Sequence, residues 1–395
     1  MRIAVIEPAA HGGLLHYHVQ LGEALAARGD AVDLVTARGN ELAGRVRHAR
    51  MRDVLTPPAA ADQRGGSYVL RRARVALRLV SAWLRVLWET RPRRYDAVLV
   101  GADIGLPPAA LATFAMTALP GRARLVRIAH NVRTFNRWSG EDLYVASSPM
   151  DALMRRLYRR FDLVLVHGER SRREFEESWP GVPTAVVPHG DERIFAAEAP
   201  PPSDEERILF FGDWRKVKGL PVLMEAFDEL AARRPGVRLT VAGAPSDADW
   251  DPDVLRRWAR SHGDRVEVVD RYVPIEEVPG IFAQARVVAT PYVTGYQSGV
   301  IHLAMTMGRA VVTSDVGDLG TAVDDAVTGR VVPPQDAGAL AAALEDVVAD
   351  PELAARMGAE GRRRVLDRSS WEHVAERVEA ELTALAEARA PGRRG

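Results

Sequence analysis

The chain has 395 residues, more than one ordinary core accommodates, so two domains are expected. Its 53 basic and 53 acidic side chains balance, which leaves no global charge to hold nucleic acid. The absence of cysteine rules out disulfides, thiol catalysis and thiolate metal sites. No apolar run is long enough to span a bilayer, and residues 1–10, with Glu7 and Pro8 so early, do not read as a signal peptide. A cytoplasmic location is expected.

Residues 2–6 (RIAVI) predict a strand, the loop EPAAHGG follows, and 14–28 predict a helix that Gly29-Asp30 ends. Residues 31–36 (AVDLVT) predict the next strand. This order opens a nucleotide-binding α/β fold. His11-Gly12-Gly13 is not GxGxxG, so no dinucleotide cofactor is expected. A glycine pair ahead of a helix lets backbone approach a ligand closely; a plain tight turn is the competing reading.

Residues 40–66 read as irregular, broken by Pro57-Pro58 and Gly65-Gly66. Residues 71–89 predict a helix. Val75, Leu79, Trp83 and Val86 form one apolar stripe, and Leu77, Val80, Leu84 and Leu87 a second. Between Arg71 and Arg94 lie eight arginines and one acid, Glu89. The leading reading is a domain helix with a solvated basic edge. The competing one is weak peripheral contact of 71–94 with an anionic membrane, anchored by Trp83 and Trp88.

Strands are predicted at 96–100, 124–128, 163–167 and 184–187. The second runs into Ala129-His130-Asn131, at a strand's C-terminal end, where α/β ligand sites lie. The irregular loop NVRTFNRWSG follows. Pro188-His189-Gly190-Asp191 closes this half, and the proline-rich, acidic stretch to Pro202 reads as a linker.

The second half opens with a strand at 207–211 (RILFF), a glycine-bounded basic loop GDWRKVKG at 212–219, and a helix at 220–234. Strands at 238–242 and 266–269 and helices near 252–262 and 275–284 continue the alternation of a second doubly wound parallel sheet. Asp247, Asp249, Asp251 and Asp253 lack the glycine of a calcium loop and read as a solvated turn capping a helix. Around residue 291 the pattern becomes strand (286–290), polar loop ending in Gln297-Ser298-Gly299, helix (300–307), strand (310–313). Free N–H groups at that helix start and its dipole suit a phosphate. The alternative is that Ser298 merely caps a structural helix. A short strand follows Thr328-Gly329, then helices at 336–349, 351–367 and 371–388.

Taken together, HGG, HN after an inner strand, PHGD before a linker, FFGDWRKVKG, LTVAG and PY…QSG…LAMTMGRAVVTSDVG resemble, in order and spacing, the GT-B glycosyltransferases of family 4. The resemblance covers nearly the whole chain. It implies two Rossmann-like domains facing a cleft: 1–190 for the acceptor, completed by a final helix at 371–390, and 203–370 for the donor. It implies a retaining, metal-independent enzyme without cofactor. A sugar would pass from a nucleoside diphosphate sugar to a glycan, a lipid-linked or a small-molecule acceptor. By position, Gly12 and Gly13 would approach the donor phosphates and sugar, and His130 would face the transferred sugar. Lys218 would bind the diphosphate, Gly212 would let its loop turn, and Ser298, Gly299 and Val300 would offer backbone N–H groups. His11, Asn131 and His189 would line the cleft.

The chain departs from the family pattern at three positions. Asp213 stands where an arginine usually follows the glycine, with Arg215 or Lys216 as substitutes. Gly295 and Leu303 stand at the two usual glutamates, the second of which commonly binds the donor ribose. A QSG form of this loop also occurs in family-4-like bacterial polysaccharide enzymes, which the sequence resembles. Two rival functions are a nucleotide-sugar epimerase using His189 and Asp191, and an inactive nucleotide-sugar-binding subunit.

Overall fold

The computed structural model describes residues 1–55, 68–91, 94–101, 107–118, 123–132, 149–195, 200–201, 203–245 and 250–388. The breakers at 57–58 and 65–66, residues 133–140 of the loop after His130, Asp247, Asp249, Pro202 and positions 389–390 lie outside the described residues. So do Arg93 and the side chains of Arg71, Arg72, Arg74, Val75, Arg78 and Leu79.

The first domain runs β1 (Arg2–Glu7), α1 (Gly13–Ala27), β2 (Ala31–Ala37), β3 (Arg50–Leu55), α2 (Tyr68–Glu89), β4 (Ala97–Val100), α3 (Pro107–Ala118), β5 (Arg124–Ile128), α4 (Pro149–Tyr158), β6 (Leu163–Val166), α5 (Glu169–Ser178) and β7 (Thr184–Val186). Among the described residues these strands form one parallel sheet in the order β3-β2-β1-β4-β5-β6-β7. Ile3, Ala4, Val5 and Ile6 are all fully buried, as expected of a parallel strand covered on both faces.

The second domain runs β8 (Arg207–Phe211), α6 (Leu220–Arg233), β9 (Arg238–Gly243), α7 (Pro252–Ser261), β10 (Val266–Asp270), α8 (Val278–Gln284), β11 (Val287–Thr290), α9 (Gly299–Thr306), β12 (Ala310–Ser314), α10 (Leu319–Ala322), β13 (Gly329–Val332), α11 (Ala337–Ala349), α12 (Pro351–Ser369) and α13 (Trp371–Glu387). Its described strands are also parallel, ordered β10-β9-β8-β11-β12-β13. In each sheet the direction of winding reverses beside the first strand, between β1 and β4 and between β8 and β11. Such switch points open a crevice at the strands' C-terminal ends. The HGG loop, the 212–219 loop and the loop after β11 all lie there.

Two readings need correction. Residues 50–55, expected to be irregular, form the edge strand β3, paired with β2. Only Leu55 of it is buried, so its alternation is too weak to read as a strand. In α2, Trp83 and Val86 are buried, but Leu77, Val80 and Leu84 of the second stripe are exposed. That face has no partner among the described residues.

The domains are tied at the back by the segment around Asp191. Its backbone N–H donates to Ser369 O at 2.8 Å, and Trp371 Nε1–H donates to Asp191 O at 2.7 Å. From there α13 lies along α1, with Trp371, Val374 and Val378 in the same core as Tyr17, Leu21 and Leu25. Asp318 of the second domain accepts the Arg170 and Ser171 N–H groups, both at 3.0 Å, so it caps α5 of the first. The α5 N-cap is Gly168, which provides no side-chain cap; a Cβ there would lie 2.2 Å from the Asp318 carboxyl carbon.

Candidate active site

On the second-domain wall, β8 ends in Gly212, whose φ of +122° favours glycine. A Cβ at this position would meet Lys218 Nζ at 3.1 Å and Val300 Cγ2 at 3.8 Å. The turn therefore brings the basic loop against the start of α9. Lys218 Nζ lies 2.7 Å from Asp213 Oδ1 and 5.2 Å from the centre of the Tyr292 ring. Burial works to discharge Lys218, but Tyr292 and Asp213 outweigh it and hold its pKa above the ordinary lysine value. Arg215 Nε stands 3.8 Å from Asp213 Oδ2, and Lys216 points into solvent. Asp213, which replaces the family's usual arginine, thus pairs with the loop's own cations.

Ser298 is the N-cap residue of α9, but its side chain does not cap the helix. Its hydroxyl turns instead to the Tyr292 hydroxyl, 3.2 Å away. The reading of Ser298 as an ordinary structural cap is therefore corrected. The helix start at Gly299 and Val300 keeps its positive end beside Lys218, without a side-chain cap.

On the first-domain wall the polar groups are histidines. Tyr17 is the hub, with the rings of His18, His130, His167 and His189 edge-on at 5.3, 4.8, 5.0 and 5.1 Å. His167 Nδ1 lies 3.1 Å from the Val187 carbonyl, so Nδ1 carries the proton and Nε2 accepts. His130 Nδ1, 3.0 Å from that Nε2, must then donate. His130 Nε2 is left as a buried lone-pair acceptor without a partner among the described residues. Burial, then His167, His18, His189 and Arg127, hold the His130 pKa well below the ordinary value. Burial first, then the neighbouring imidazoles, lowers His167 to about 3. Burial likewise takes His189 down to about 4. His130, His167 and His189 are neutral hydrogen-bonding groups at working pH.

The walls meet at the loop 297–299. Gln297 Nε2 lies 3.5 Å from His130 Nδ1, and a Cβ on Gly299 would lie 3.5 Å from His189 Nε2. A cavity of about 170 Å³ between the domains is lined by His167, His189, Gln297, Ser298, His302 and Asp318, among others. Gln297 Oε1 and His302 Nδ1 are buried polar atoms without a partner among the described residues. Asn131, next to His130, is exposed.

The HGG loop forms a third group. Gly12 N–H donates to Glu41 Oε1 at 2.7 Å, and the His11 ring lies 5.2 Å from that of Tyr272. The Gly12 N–H, expected to approach the donor phosphates, is therefore already occupied by a carboxylate. Among the described residues no atom lies within 4 Å of a Cβ built on Gly13. The His189–Asp191 pairing of an epimerase is not formed either. Asp191 receives Arg193 Nε at 3.0 Å and Nη2 at 2.9 Å, and the Trp371 N–H at 3.3 Å.

Tyr292, Tyr17, His167 and Glu41 escaped the sequence reading, in which Asp213 stands only for a missing arginine. His167 carried a usable signal, since it ends a strand just as Ala129-His130 follows one. Among the described residues no group of three His, Asp or Glu side chains is placed to hold a metal ion. Asp251 caps α7 through the Asp253 N–H at 2.9 Å.

Two doubly wound domains facing a cleft define the GT-B class. Residues 205–350 match the family model described as glycosyl transferases group 1, and residues 11–190 that described as glycosyltransferase family 4. By fold and by both matches, the chain is a family-4-like glycosyltransferase of GT-B architecture. Among solved structures it is similar to a sucrose-phosphate synthase from Thermosynechococcus elongatus, with a TM-score of 0.73, 22% identity, and 98% of this chain and 99% of that one covered. It is also similar to Anabaena HepE in complex with UDP-glucose, with a TM-score of 0.70, 17% identity, and coverage of 97% and 100%. A D-inositol 3-phosphate glycosyltransferase of Segniliparus rotundus is 29% identical over 202 residues, 50% of this chain and 44% of that protein. The match thus spans less than half the length of that curated relative.

Proposed function

We propose that the protein transfers a sugar, with retention of anomeric configuration, from a nucleoside diphosphate sugar to an acceptor held against the first domain. The observation that carries this reading is the convergence of Lys218, the Gly212 turn and the uncapped start of α9. The bond from the anomeric carbon to the diphosphate breaks, and one to the acceptor hydroxyl oxygen forms on the same face. The hydroxyl proton passes to the leaving phosphate oxygen. Charge grows on the diphosphate as the bond breaks, and fixed cations and amides aimed there lower the barrier. Lys218, Arg215 and α9 supply that charge, so the proposed step requires no metal. His130, with a neutral acceptor nitrogen, suits a sugar hydroxyl. Leu303 packs in an apolar cluster, so the ribose is held by other groups.

A thermal-shift panel of nucleoside diphosphates and their sugars tests this reading. A ligand of the folded state raises its melting temperature, by about 2.7 kcal/mol of stability at 100 times Kd. Because HepE was solved with UDP-glucose, uridine nucleotides are the first probes. We expect a shift in the wild type and a much smaller one in Lys218→Ala. No shift with any nucleotide would refute the donor site.

A weak contact with anionic membranes is part of the proposal, and would suit a lipid-linked acceptor. Its support is the exposed face of α2, where Leu77 is 69% and Trp88 67% exposed. Arg91 lies over the Trp88 ring at 4.8 Å. Among the described residues no helix is long and apolar enough to cross a membrane.

A further inference from the structure

Glu41 lies on the turn after β2, 29 positions along the chain from Gly12. Its backbone N–H donates to Ala10 O at 3.0 Å, so the turn runs beside the HGG loop. Its Oε1 receives the Gly12 N–H at 2.7 Å, His16 Nε2 at 2.7 Å and the Tyr272 hydroxyl at 2.8 Å. The same hydroxyl lies 2.7 Å from Oε2. Tyr272 belongs to the other domain, two residues past the end of β10. Burial pushes the Glu41 carboxyl up, but the hydrogen bonds from His16, Tyr272 and the Gly12 N–H more than reverse this and hold it down to about 2.

We propose that Glu41 is a positioning residue that ties the shape of the glycine loop to closure of the cleft. Within the first domain its carboxylate takes the N–H of Gly12, the N-cap residue of α1 and one of the amides that the helix leaves unpaired. Across the cleft the same carboxylate receives Tyr272, so the bridge exists only when the two walls are together. The neighbouring Arg45–Glu276 ion pair also crosses, but both side chains are exposed, and such pairs contribute little. A charge-assisted hydrogen bond onto a carboxylate already oriented by two other donors is the stronger link. The Glu41 charge also repels phosphate from Gly12, which leaves that loop to the neutral sugar. This last consequence rests on the proposed donor site; the bridge itself does not.

The absence of cysteine allows two labels to be introduced without removing native thiols. Spin labels at Ala43→Cys and Gly280→Cys, both exposed and on opposite sides of the bridge, report closure by pulsed electron resonance. Without ligand, adding Tyr272→Phe is expected to move a substantial part of the distance distribution outward by several ångströms. In the unlabelled protein, UDP affinity measured by calorimetry should fall about 3- to 10-fold in Tyr272→Phe and in Glu41→Gln. The double variant should be no weaker than the weaker single, because both remove one shared contact. Hydrogen exchange at residues 10–16 should quicken strongly in Glu41→Gln and by a smaller amount in Tyr272→Phe, whereas a tyrosine contact that does not reach the loop would leave it unchanged in Tyr272→Phe. Unchanged ligand-free distances in Tyr272→Phe, or additive losses in the double variant, would overturn the proposal. Should Glu41→Gln fail to fold, the exposed Tyr272→Phe still decides it. Absence of UDP binding by the wild type would count against the donor reading alone, since the ligand-free distances still test the bridge.

Discussion

On the second-domain wall of the cleft the polar groups are cations and helix amides kept charged or open; on the first-domain wall they are imidazoles kept neutral. Desolvation works to discharge the partly buried Lys218 as it does the histidines, so burial alone does not explain the difference. Lys218 retains its charge because Asp213 and Tyr292 lie against it. His130 and His167 lie among one another, Tyr17 and further imidazoles, and the carbonyl that His167 faces does not offset their desolvation. Of the carboxylates on the first wall, Glu41 occupies the glycine loop's amide, and the buried Glu192 accepts Gln20 Nε2 at 3.1 Å, its Oε1 3.6 Å from a Cβ built on Gly299. Under the proposed transfer, one wall bears the leaving-group charge and the other recognises uncharged hydroxyls.

The sharpest way to break this division is Lys218→Ala. We expect turnover, with the donor found by the panel, to fall about 100- to 1,000-fold, as for loss of one preorganised charge donor. The fold, followed by circular dichroism and melting temperature, should be intact. Arg215→Ala should cost less, and the exposed Lys216→Ala least. Near-normal turnover in folded Lys218→Ala would mean that the charge burden lies elsewhere.

Gly212→Ala asks whether the wall must be shaped as well as charged. The new Cβ would crowd Lys218 Nζ at 3.1 Å in a backbone conformation of φ +122°. Such strain costs about 1–3 kcal/mol. Turnover should drop about 10-fold or more while nucleotide binding survives in part. Unchanged turnover would show that the turn tolerates displacement.

The neutral wall predicts its own pH signature. In the folded chain His130, His167 and His189 stay unprotonated, whereas in the unfolded chain they take up protons below about 6.5. Stability should therefore fall as pH drops below that value, and keep falling past about 4, where His189 titrates, toward about 3, where His167 does. Melting temperatures from pH 7 to pH 4 measure this, and His189→Gln should flatten the slope. Glu192 acts with the opposite sign. Burial raises its pKa to about 8, so its cost appears as pH rises from about 4.5 and is complete above about 8. Glu192→Gln should therefore raise the melting temperature more at pH 8 than at pH 5. A pH-independent gain would place the carboxyl in a charged state.

The smallest expected effect lies outside the cleft. The wild type should sediment weakly with anionic vesicles, less so in high salt, and not with neutral vesicles. Each basic residue near such a surface is worth about 1 kcal/mol. Trp88→Glu should abolish the binding. Equal behaviour with both vesicle types would leave α2 as a domain helix alone.

Much of the architecture is legible in the amino-acid sequence, because a strand buried on both faces and a helix packed on one carry periodicities that local sequence cannot hide. The alternation of RIAVI, AVDLVT, RILFF and RLTVA with helical stretches is enough to expect two parallel sheets, and glycine-bounded GDWRKVKG marks a basic loop at a strand end. The polar edge strand β3 escapes because only one of its residues is fully buried. The convergence of Lys218, Tyr292 and Ser298 is not readable, nor is the turning of Ser298 away from its helix. The nest of histidines around Tyr17 gathers residues from α1 and from the ends of three strands, and Tyr272 meets Glu41 across 231 positions. Propensity and periodicity report how each residue sits in its own turn or strand. Which distant carboxylate takes a glycine's amide, and whether an imidazole is neutral, depend on burial and on partners that only chain closure brings within hydrogen-bonding distance.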